Sequence, residues 1–579
     1  MRPINVLPPD IVSKIAAGEV IERPASVIKE LLENSLDAGA QKIDIYIKQA
    51  GQTLIRIKDD GHGIAKDDIE KVFQRHATSK INTADDLYSI ASLGFRGEAL
   101  YSVAAVADII LRSKIDGQET GWELHIRGGA HISLKPVAMQ RGTEIEVNEL
   151  FYNTPARRKF LKTKTTEYNQ ILSIIIPYIL IHNVIDISFT TDYKSYERTV
   201  FHHLPDEEVA RRIARVLNID NKHILESEHA IADRRVSFKA FLGDSNIRRT
   251  SKDMQYIFIN GRPVMHRLLN YQLNDMFRLI FPSDIYPFFV LFLTVPAEDV
   301  DVNIHPTKRE VKIVHEYDLC KRIRSLCEET LLSWSKAKQV VGSPFTMPAV
   351  SSATEQQPGA VIERDSSDYI KVATQNLLET FTESVIAENH DTLKVKLRQA
   401  HFVGAFYKKY LLFEAASSLL IIDQHAAAER INYELLKRQV EQGNIEVQQL
   451  LTPLPIKVTH QEFTLWEEVG QKLEDVGFFT TQWDNETIAI HAYPQLIKDP
   501  EMAFRNLLSG TDVARCDKET LARRACRSSV MAGDTVEREG AESLRTQLID
   551  CNDPFVCPHG RPTVIEIQEP FLSKQFLRT

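Results

Sequence analysis

The chain has 579 residues, which is too long for one hydrophobic core and predicts about three or four domains. Its 43% hydrophobic and 26% charged residues are typical of soluble globular proteins, and we find neither a run of about 18 apolar residues nor a signal-peptide core. Six cysteines are too few for a disulfide framework and predict an intracellular protein, while a net charge of −9 excludes a wholly basic nucleic-acid binder.

Residues 1 to about 335 contain a dense series of predicted helices and strands. PASVIKELLENSLDAGA predicts a helix with Pro24 in its first turn and Gly39 at its C-terminal cap. The isoleucines of KIDIYIKQAGQTLIRIKDD recur with a period of two, which predicts a hairpin with one buried face. Later elements are predicted at EEVARRIARVL, YIFINGRPV, PFFVLFLTV and a basic helix near 319–337.

The first predicted helix has a polar face that suits catalysis. Glu30 and Asn34 lie one turn apart, where a carboxylate can accept a proton from water and an amide oxygen can ligate Mg²⁺. A solvated helix face is the alternative explanation, and for this helix alone it is the better one.

Later motifs add groups that suit a nucleotide. In DDGHGI, Asp59 can accept the exocyclic amine of adenine, and Gly61 and Gly63 allow close backbone approach. Thr143 in RGTEIEV opens a strand from which its hydroxyl can reach the base. GFRGEAL provides a phosphate cradle before an apolar helix, and Lys308 in DVNIHPTKREV can reach a terminal phosphate. None of these motifs matches a P-loop or the protein-kinase set.

The ordered set ELLENSLDAGA, DDGHGI, RHATSKI, LGFRGEAL and GTEIEV resembles the Bergerat-fold ATPases, which include gyrase, Hsp90 and histidine kinases. With LFYNTPARRKFL and DVNIHPTKREV, the first 335 or so residues resemble the MutL family of DNA mismatch repair proteins in particular. The resemblance implies that Glu30 is the general base of ATP hydrolysis and that Asn34 ligates Mg²⁺. The residues that it assigns to ATP are Asp59, Gly61, Gly63, Thr78, Gly94, Phe95, Arg96, Gly97, Thr143 and Lys308.

The expected fold class is α/β and α+β multidomain. We expect a Bergerat-fold (GHKL) ATPase domain over residues 1–210 and a ribosomal S5-like transducer domain over 211–335. Pro, Ser, Gly and Gln then predict a flexible linker over 336–395. The last domain, 396–579, is expected to be an α+β dimerisation and endonuclease domain with a regulatory subdomain at about 442–505.

The segment DQHAAAERINYE follows a predicted strand, SLLII, and offers metal-ligating side chains. Asp423 ends the strand, while His425 and Glu429 lie one turn apart on the next helix, where both can bind a divalent metal. A helix N-cap at Asp423 followed by polar surface residues explains the segment equally well.

Two distant motifs add thiolate and imidazole groups. Cys526 in ACRSSV, with Cys557 and His559 in CPHGRPT, favours Zn²⁺ or Mn²⁺ over Mg²⁺, although a lone buried cysteine is usually a small hydrophobe. DQHA, ACR, CPHGRP and a terminal Phe-x-Arg resemble the C-terminal domain of endonuclease-type MutL proteins. This resemblance implies metal-dependent DNA nicking with Asp423 as a catalytic residue. The metal ligands that it implies are Asp423, His425, Glu429, Cys526, Cys557 and His559.

Several partners are expected. QQLLTP, with Gln448, Leu451 and Pro453, resembles the peptide that docks this family on the replication sliding clamp; a loop that packs its leucines is the alternative. Basic clusters at 157–164 and 211–223 suit non-sequence-specific contact with DNA phosphates, or are solvated faces. The resemblance further implies a homodimer, a mismatch-recognition partner (MutS), no membrane, and a cytoplasmic, nucleoid-associated location.

Two other functions compete with this one. A nucleotide-switched scaffold that couples mismatch recognition to repair and cuts nothing is the main alternative. A gyrase-like topoisomerase is disfavoured, because the sequence offers neither a catalytic tyrosine context nor the length needed for strand passage.

Overall fold

A computed structural model describes most of the chain. The described residues are 21–78, 98–192, 198–202, 204, 207–278, 285–301, 311–341, 390–407, 409–484, 486–509, 516–526, 537–558 and 560–575. Six predicted site residues lie outside them: Gly94, Phe95, Arg96, Gly97, Lys308 and His559. Among the described helices, none combines the length and apolarity needed to cross a membrane.

The chain divides into two compact bodies. The first comprises residues 1–281, 286–330 and 457–468. The second comprises residues 282–285, 331–456 and 469–579.

An eight-stranded sheet organises the start of the first body. Its strands are β1 (Lys42–Lys48), β2 (Leu54–Asp59), β3 (Asp108–Lys114), β4 (Gly121–Arg127), β5 (Ala130–Val137), β6 (Gly142–Asn148), β7 (Asp186–Thr191) and β8 (Arg198–Phe201). The order in space is β5-β4-β3-β6-β2-β1-β7-β8, and β1 runs parallel to β7. The predicted hairpin is confirmed: β1 pairs antiparallel with β2, and the alternating isoleucines are buried.

Within the residues that the structure describes, four helices accompany this sheet. They are α1 (Pro24–Asp37), α2 (Ala99–Val106), α3 (Pro155–Phe160) and α4 (Lys164–Ile181). Helix α1 is the predicted one, with Pro24 in its first turn and Gly39 at a φ of +69° just beyond its C-terminal end. The apolar stripe of α1 is buried and packs against α4, which leaves Glu30 and Asn34 on a half-buried face.

A second, five-stranded sheet follows in the same body. Its strands are β9 (Ile224–Ile231), β10 (Val236–Gly243), β11 (Gln255–Ile259), β12 (Arg262–Pro263) and β13 (Phe289–Thr294), in the order β12-β11-β13-β10-β9. A two-stranded pair joins β14 (Val300–Asp301) to β15 (Lys312–Ile313). The helices are α5 (Val209–Leu217), α6 (Arg267–Phe277) and α7 (Glu316–Val341, of which residues up to 330 belong here). The elements predicted at YIFINGRPV and PFFVLFLTV are strands, and the predicted basic helix is present.

The second body contains a four-stranded antiparallel sheet in the order β16-β17-β18-β22. These strands are β16 (His401–Phe406), β17 (Tyr410–Ala415), β18 (Ser418–Asp423) and β22 (Val564–Gln568). The helices are α8 (His390–Gln399), α9 (Gln424–Gln442), α10 (His460–Glu474, of which residues from 469 belong here), α11 (Pro500–Leu508), α12 (Lys518–Ala525), α13 (Arg538–Ile549) and α14 (Glu569–Gln575). Because α7 ends at Val341 and α8 begins at His390, both ends of the segment predicted as a linker are helical.

A smaller three-stranded sheet lies within residues 442–505, where a regulatory subdomain is predicted. Its strands are β19 (Val447–Lys457), β20 (Phe479–Gln482) and β21 (Thr487–Pro494). The order β19-β21-β20 leaves β19 at one edge.

Candidate functional site

The Asp59 carboxylate is the centre of the N-terminal site. Strand β2 ends at Asp59, and its pairing with β6 places Asp59 opposite Thr143, 84 positions away. These are the two residues that the family resemblance assigns to adenine. The backbone N–H groups of Gly61 and Thr143 donate to Asp59 Oδ1 at 3.0 and 3.2 Å. The Ser35 hydroxyl on α1 donates to Oδ2 at 2.9 Å. Three donors from three segments therefore fix one carboxylate.

Burial sets the electrostatics of this carboxylate. Asp59 is only 8% exposed, and this burial raises its pKa, while the hydrogen bonds from Ser35, Gly61 and Thr143 act in the opposite direction. A buried carboxylate held by aligned donors can accept a further hydrogen bond from an exocyclic amine, because its orientation is already set.

Two glycines are required by the backbone at this site. Gly63 has a φ of +76°, and a Cβ there would lie 2.2 Å from the Lys114 carbonyl oxygen. Gly142 has a φ of +125°, and its Cβ would lie 2.0 Å from the Asp59 carbonyl oxygen. Both conformations are accessible mainly to glycine. The sequence pointed to Gly63 but not to Gly142, whose position before Thr143 was the available signal.

The polar face of α1 carries a charged group that the sequence motifs did not single out. Lys29 Nζ lies 3.5 Å from Glu30 Oε1 and 3.2 Å from Glu33 Oε1. Tyr178 Oη on α4 donates to Glu33 Oε1 at 2.5 Å. Burial raises the pKa of Glu33; the Lys29 charge lowers this pKa and the Glu30 charge raises it. Asn34, one turn beyond Glu30, is half-buried beside this group.

Thr78 is half-buried at the border of the described residues, so its assignment to ATP stays a prediction. The assignments of Gly94, Phe95, Arg96, Gly97 and Lys308 likewise stay predictions, because these residues lie outside the described ranges.

In the second body, Asp423 is the N-cap of α9. Its Oδ1 accepts the backbone N–H groups of His425 and Ala426 at 3.0 and 3.1 Å. The N-cap part of the alternative is therefore confirmed, and both bonds use Oδ1. The other part is wrong for Glu429, which is buried rather than a polar surface residue. One turn on, His425 Nε2 and Glu429 Oε1 lie 3.3 Å apart, as the spacing predicted.

Cys526 lies near this pair. It is fully buried at the end of α12, which packs against α9. Burial raises the pKa of the Cys526 thiol, and the negative charge of Glu429 adds to the rise, which marks their proximity. Cys557 is also buried and opens the predicted turn, since Gly560 N–H donates to its carbonyl at 3.0 Å.

The side chains of this predicted metal site have the right chemistry for a metal ion, but their arrangement fits one only in part. Imidazole, carboxylate and thiol groups are ligands for Zn²⁺ or Mn²⁺. Across the ranges that the structure describes, however, no three His, Cys, Asp or Glu side chains form a group able to hold a metal ion. His559, a further predicted ligand, is outside those ranges.

The QQLLTP segment is a strand, so the alternative of a packed loop is wrong. It lies in β19, with Gln448 exposed and Pro453 half-buried. The Leu451 side chain is fully exposed, with a relative solvent accessibility of 106%. An apolar side chain that contacts so little of its own chain is available to a partner.

The two basic clusters differ from each other. At 157–164, the α3 residues Lys159 and Phe160 are exposed, and Phe160 is 83% exposed. At 211–223, Arg212 is buried and donates to the Asn183 carbonyl, and Arg215 pairs with Glu207 at 2.7 Å. These two arginines stabilise the fold, so the second cluster is a poorer phosphate surface than its sequence predicted.

Comparison with family models gives matches to three parts of the chain. Residues 21–149 match "Histidine kinase-, DNA gyrase B-, and HSP90-like ATPase". Residues 214–332 match "DNA mismatch repair protein, C-terminal domain", and residues 403–536 match "MutL C terminal dimerisation domain".

Relatives resemble the chain along its whole length. The DNA mismatch repair protein MutL of Clostridium acetobutylicum is 33% identical, with 99% of each chain covered. That of Elusimicrobium minutum is 32% identical, with 100% of each covered. Among solved structures, the Aquifex aeolicus MutL ATPase domain complexed with ADP is 29% identical, covering 48% of this chain and 93% of its own, with a TM-score of 0.37.

Proposed function

The chain belongs to the MutL family of DNA mismatch repair proteins, and from that premise we propose that it binds and hydrolyses ATP at the site around Asp59 and Glu30. The family carries with it an ATPase domain and a C-terminal dimerisation domain. The observation that supports this site most is the buried Asp59 carboxylate, held by donors from Ser35, Gly61 and Thr143. Such an acceptor is suited to the adenine amine.

Glu30 is the proposed general base. Its side chain is 31% exposed, so water can reach it, and Lys29 Nζ lies 3.5 Å from its Oε1. Asn34 would hold Mg²⁺ through its amide oxygen, and the ion would neutralise phosphate charge. We also propose that residues 94–97 and Lys308 bind the phosphates of ATP.

Two substitutions test these roles separately. Glu30→Ala should lower kcat for ATP hydrolysis by about 10²- to 10⁴-fold and leave binding intact, because only proton abstraction is lost. Asp59→Asn should weaken binding, because a donor amide then faces the adenine amine. Glu70→Ala, at an exposed carboxylate, is the control. ATP hydrolysis by Glu30→Ala at the parent rate would remove the general-base assignment.

We further propose that ATP switches the association of two chains. The C-terminal halves would stay paired, while the N-terminal halves would pair only when residues 94–97 and Lys308 have a γ-phosphate to bind, since only then is the ordering entropy offset. Light scattering should find a dimer for the fragment from about 396 onward in every nucleotide state. An N-terminal fragment indifferent to a non-hydrolysable ATP analogue would exclude the switch.

A second proposed activity is metal-dependent nicking of DNA. Its support is the His425–Glu429 pair beside the buried Cys526 and the strand-ending Asp423. These residues, with Cys557 and His559, would hold Zn²⁺ or Mn²⁺, which would supply Lewis-acid assistance to phosphodiester hydrolysis. The test is Mn²⁺-dependent nicking of supercoiled plasmid by the purified protein. A protein that binds ATP and MutS but never nicks would be the nucleotide-switched scaffold.

The proposed partners follow from exposed residues and from the family. The exposed Lys159 and Phe160 would contact DNA without reading its sequence, in a salt-dependent way. Leu451 would enter a sliding-clamp pocket beside Gln448 and Pro453. We place the protein at the nucleoid in the cytoplasm, as a matchmaker between MutS and later repair steps.

A further inference from the structure

Lys29 lies between two carboxylates that differ in their surroundings. Its Nζ is 3.2 Å from Glu33 Oε1 and 3.5 Å from Glu30 Oε1. The Glu33 side chain is 8% exposed, whereas that of Glu30 is 31% exposed. The ammonium is therefore shared, and it lies nearer to the buried carboxylate than to the proposed base.

Glu33 is fixed from the opposite side by a residue far away in sequence. Tyr178 Oη donates to Glu33 Oε1 at 2.5 Å, and Tyr178 is itself buried. Lys29, Glu33 and Tyr178 all line a cavity of about 180 Å³. The hydrogen bond and the ion pairs therefore add to packing in fixing the positions of these side chains.

The unequal distances have a chemical consequence. A lysine with a single carboxylate partner closes to about 2.7–2.9 Å and occupies a lone pair of that carboxylate. At 3.5 Å, Lys29 forms no more than a long hydrogen bond with Glu30 Oε1. Glu33 thus keeps the ammonium near Glu30 without letting it take the oxygen that must accept a proton from water.

We propose that Tyr178, Glu33 and Lys29 form a positioning relay that orients the Glu30 carboxylate for proton abstraction. The relay rests on the proposed role of Glu30. Tyr178 and Glu33 touch neither nucleotide nor water in this scheme; they act through Lys29. Burial raises the pKa of Glu33 and Lys29 lowers it, which fits a carboxylate whose ionised form depends on its neighbours.

The test is steady-state ATP hydrolysis by the full-length protein, with kcat and KM measured separately. Tyr178→Phe keeps the ring and removes the hydroxyl, so kcat should fall by roughly three- to tenfold while KM stays within about twofold. Lys29→Met should lower kcat by about tenfold or more, and Lys29→Arg should recover most of the loss because it restores the charge. Tyr168→Phe, at another buried tyrosine of α4, is the matched control and should keep the parent kcat.

A double substitution tests whether these residues act through Glu30, because their effects on kcat should then not add to that of Glu30→Ala. In a Glu30→Ala background, Tyr178→Phe should lower kcat no further. If Tyr178→Phe keeps the kcat of the parent protein while Glu30→Ala is inactive, the relay is overturned and the proposed base stays in place. A loss of thermal stability with raised KM and unchanged kcat would also overturn it. A Glu30→Ala protein with the parent kcat would instead overturn the proposed function itself.

Discussion

Asp59 and Asp423 both end a β-strand, yet the groups that surround them come from different distances along the chain. Asp59 receives donors from α1, from its own turn and from β6, the last of them 84 residues away. Asp423 receives both of its capping bonds from the next turn of its own helix. A helix N-cap explains the second arrangement completely.

The first arrangement has no comparable local explanation. Burial raises the pKa of Asp59, so this carboxylate ionises less readily than a solvent-exposed aspartate. Long-range bonds assembled around such a group indicate a binding role more strongly than a local cap does. Substitutions in the two regions should therefore behave differently.

The largest effect is expected from Gly142→Ala. The added Cβ would meet the Asp59 carbonyl oxygen at 2.0 Å in a backbone with a φ of +125°, so β2 and β6 must separate at the site. We expect ATP binding to be lost and the free energy of unfolding to fall by about 2–4 kcal/mol. Gly117→Ala is the control, because Gly117 also has a positive φ but open space around it. If the two substitutions have equal effects in thermal melts and ATP titrations, the positive φ alone causes the loss and the contact with the Asp59 carbonyl does not.

Substitutions of Asp423 can distinguish a helix-capping role from a metal-binding role. Asparagine caps a helix about as well as aspartate, so Asp423→Asn should keep the melting temperature but lose Mn²⁺-dependent nicking, since a charged ligand becomes neutral. Asp423→Ala should in addition lower the free energy of unfolding by about 1 kcal/mol. If Asp423→Asn nicks DNA as well as the parent protein does, helix capping is the role of Asp423 and metal binding is not.

Ser35→Ala tests how the donors around Asp59 act. Without the hydroxyl bond to Oδ2, the pKa of Asp59 should rise further and ATP binding should weaken by about five- to tenfold, or about 1 kcal/mol. The ionised carboxylate binds the amine, so affinity is present above this pKa and is lost as the pH falls through it. ATP affinity in Ser35→Ala should thus begin to fall at a higher pH than in the parent. Ser102→Ala, at another buried serine, should leave the pH profile unchanged.

The smallest effect on the fold is expected from Leu451→Ala. Because Leu451 is fully exposed, the free energy of unfolding should change by less than about 0.5 kcal/mol and ATP hydrolysis should not change. Binding to a sliding clamp, measured by surface plasmon resonance, should be lost. Unchanged clamp binding would remove the proposed contact.

Sequence alone was sufficient where the signals are local and periodic. Pro24 and Gly39 marked α1, alternating isoleucines marked the β1–β2 hairpin, and SLLIID marked β18. Asp59 and Thr143 were assigned to one site through the family resemblance, and their pairing across two strands supplies the geometry.

Contacts made at long range could not be predicted in this way. Tyr178 meets Glu33 across 145 residues, and no motif in α4 announces it. Arg212 belongs to a run that resembles a solvated basic face, yet it is buried because its guanidinium reaches a carbonyl from another segment. Tertiary packing decides such cases, and neither residue type nor spacing encodes it.

Strand β19 has a consequence for how a partner can recognise it. It lies at the edge of its sheet, where unpaired N–H and C=O groups usually invite another strand and risk aggregation. Pro453 and Pro455 have no N–H, which interrupts the backbone ladder that an added strand would need. A protein that docks here must therefore read side chains such as Leu451, because the main chain offers an incomplete template.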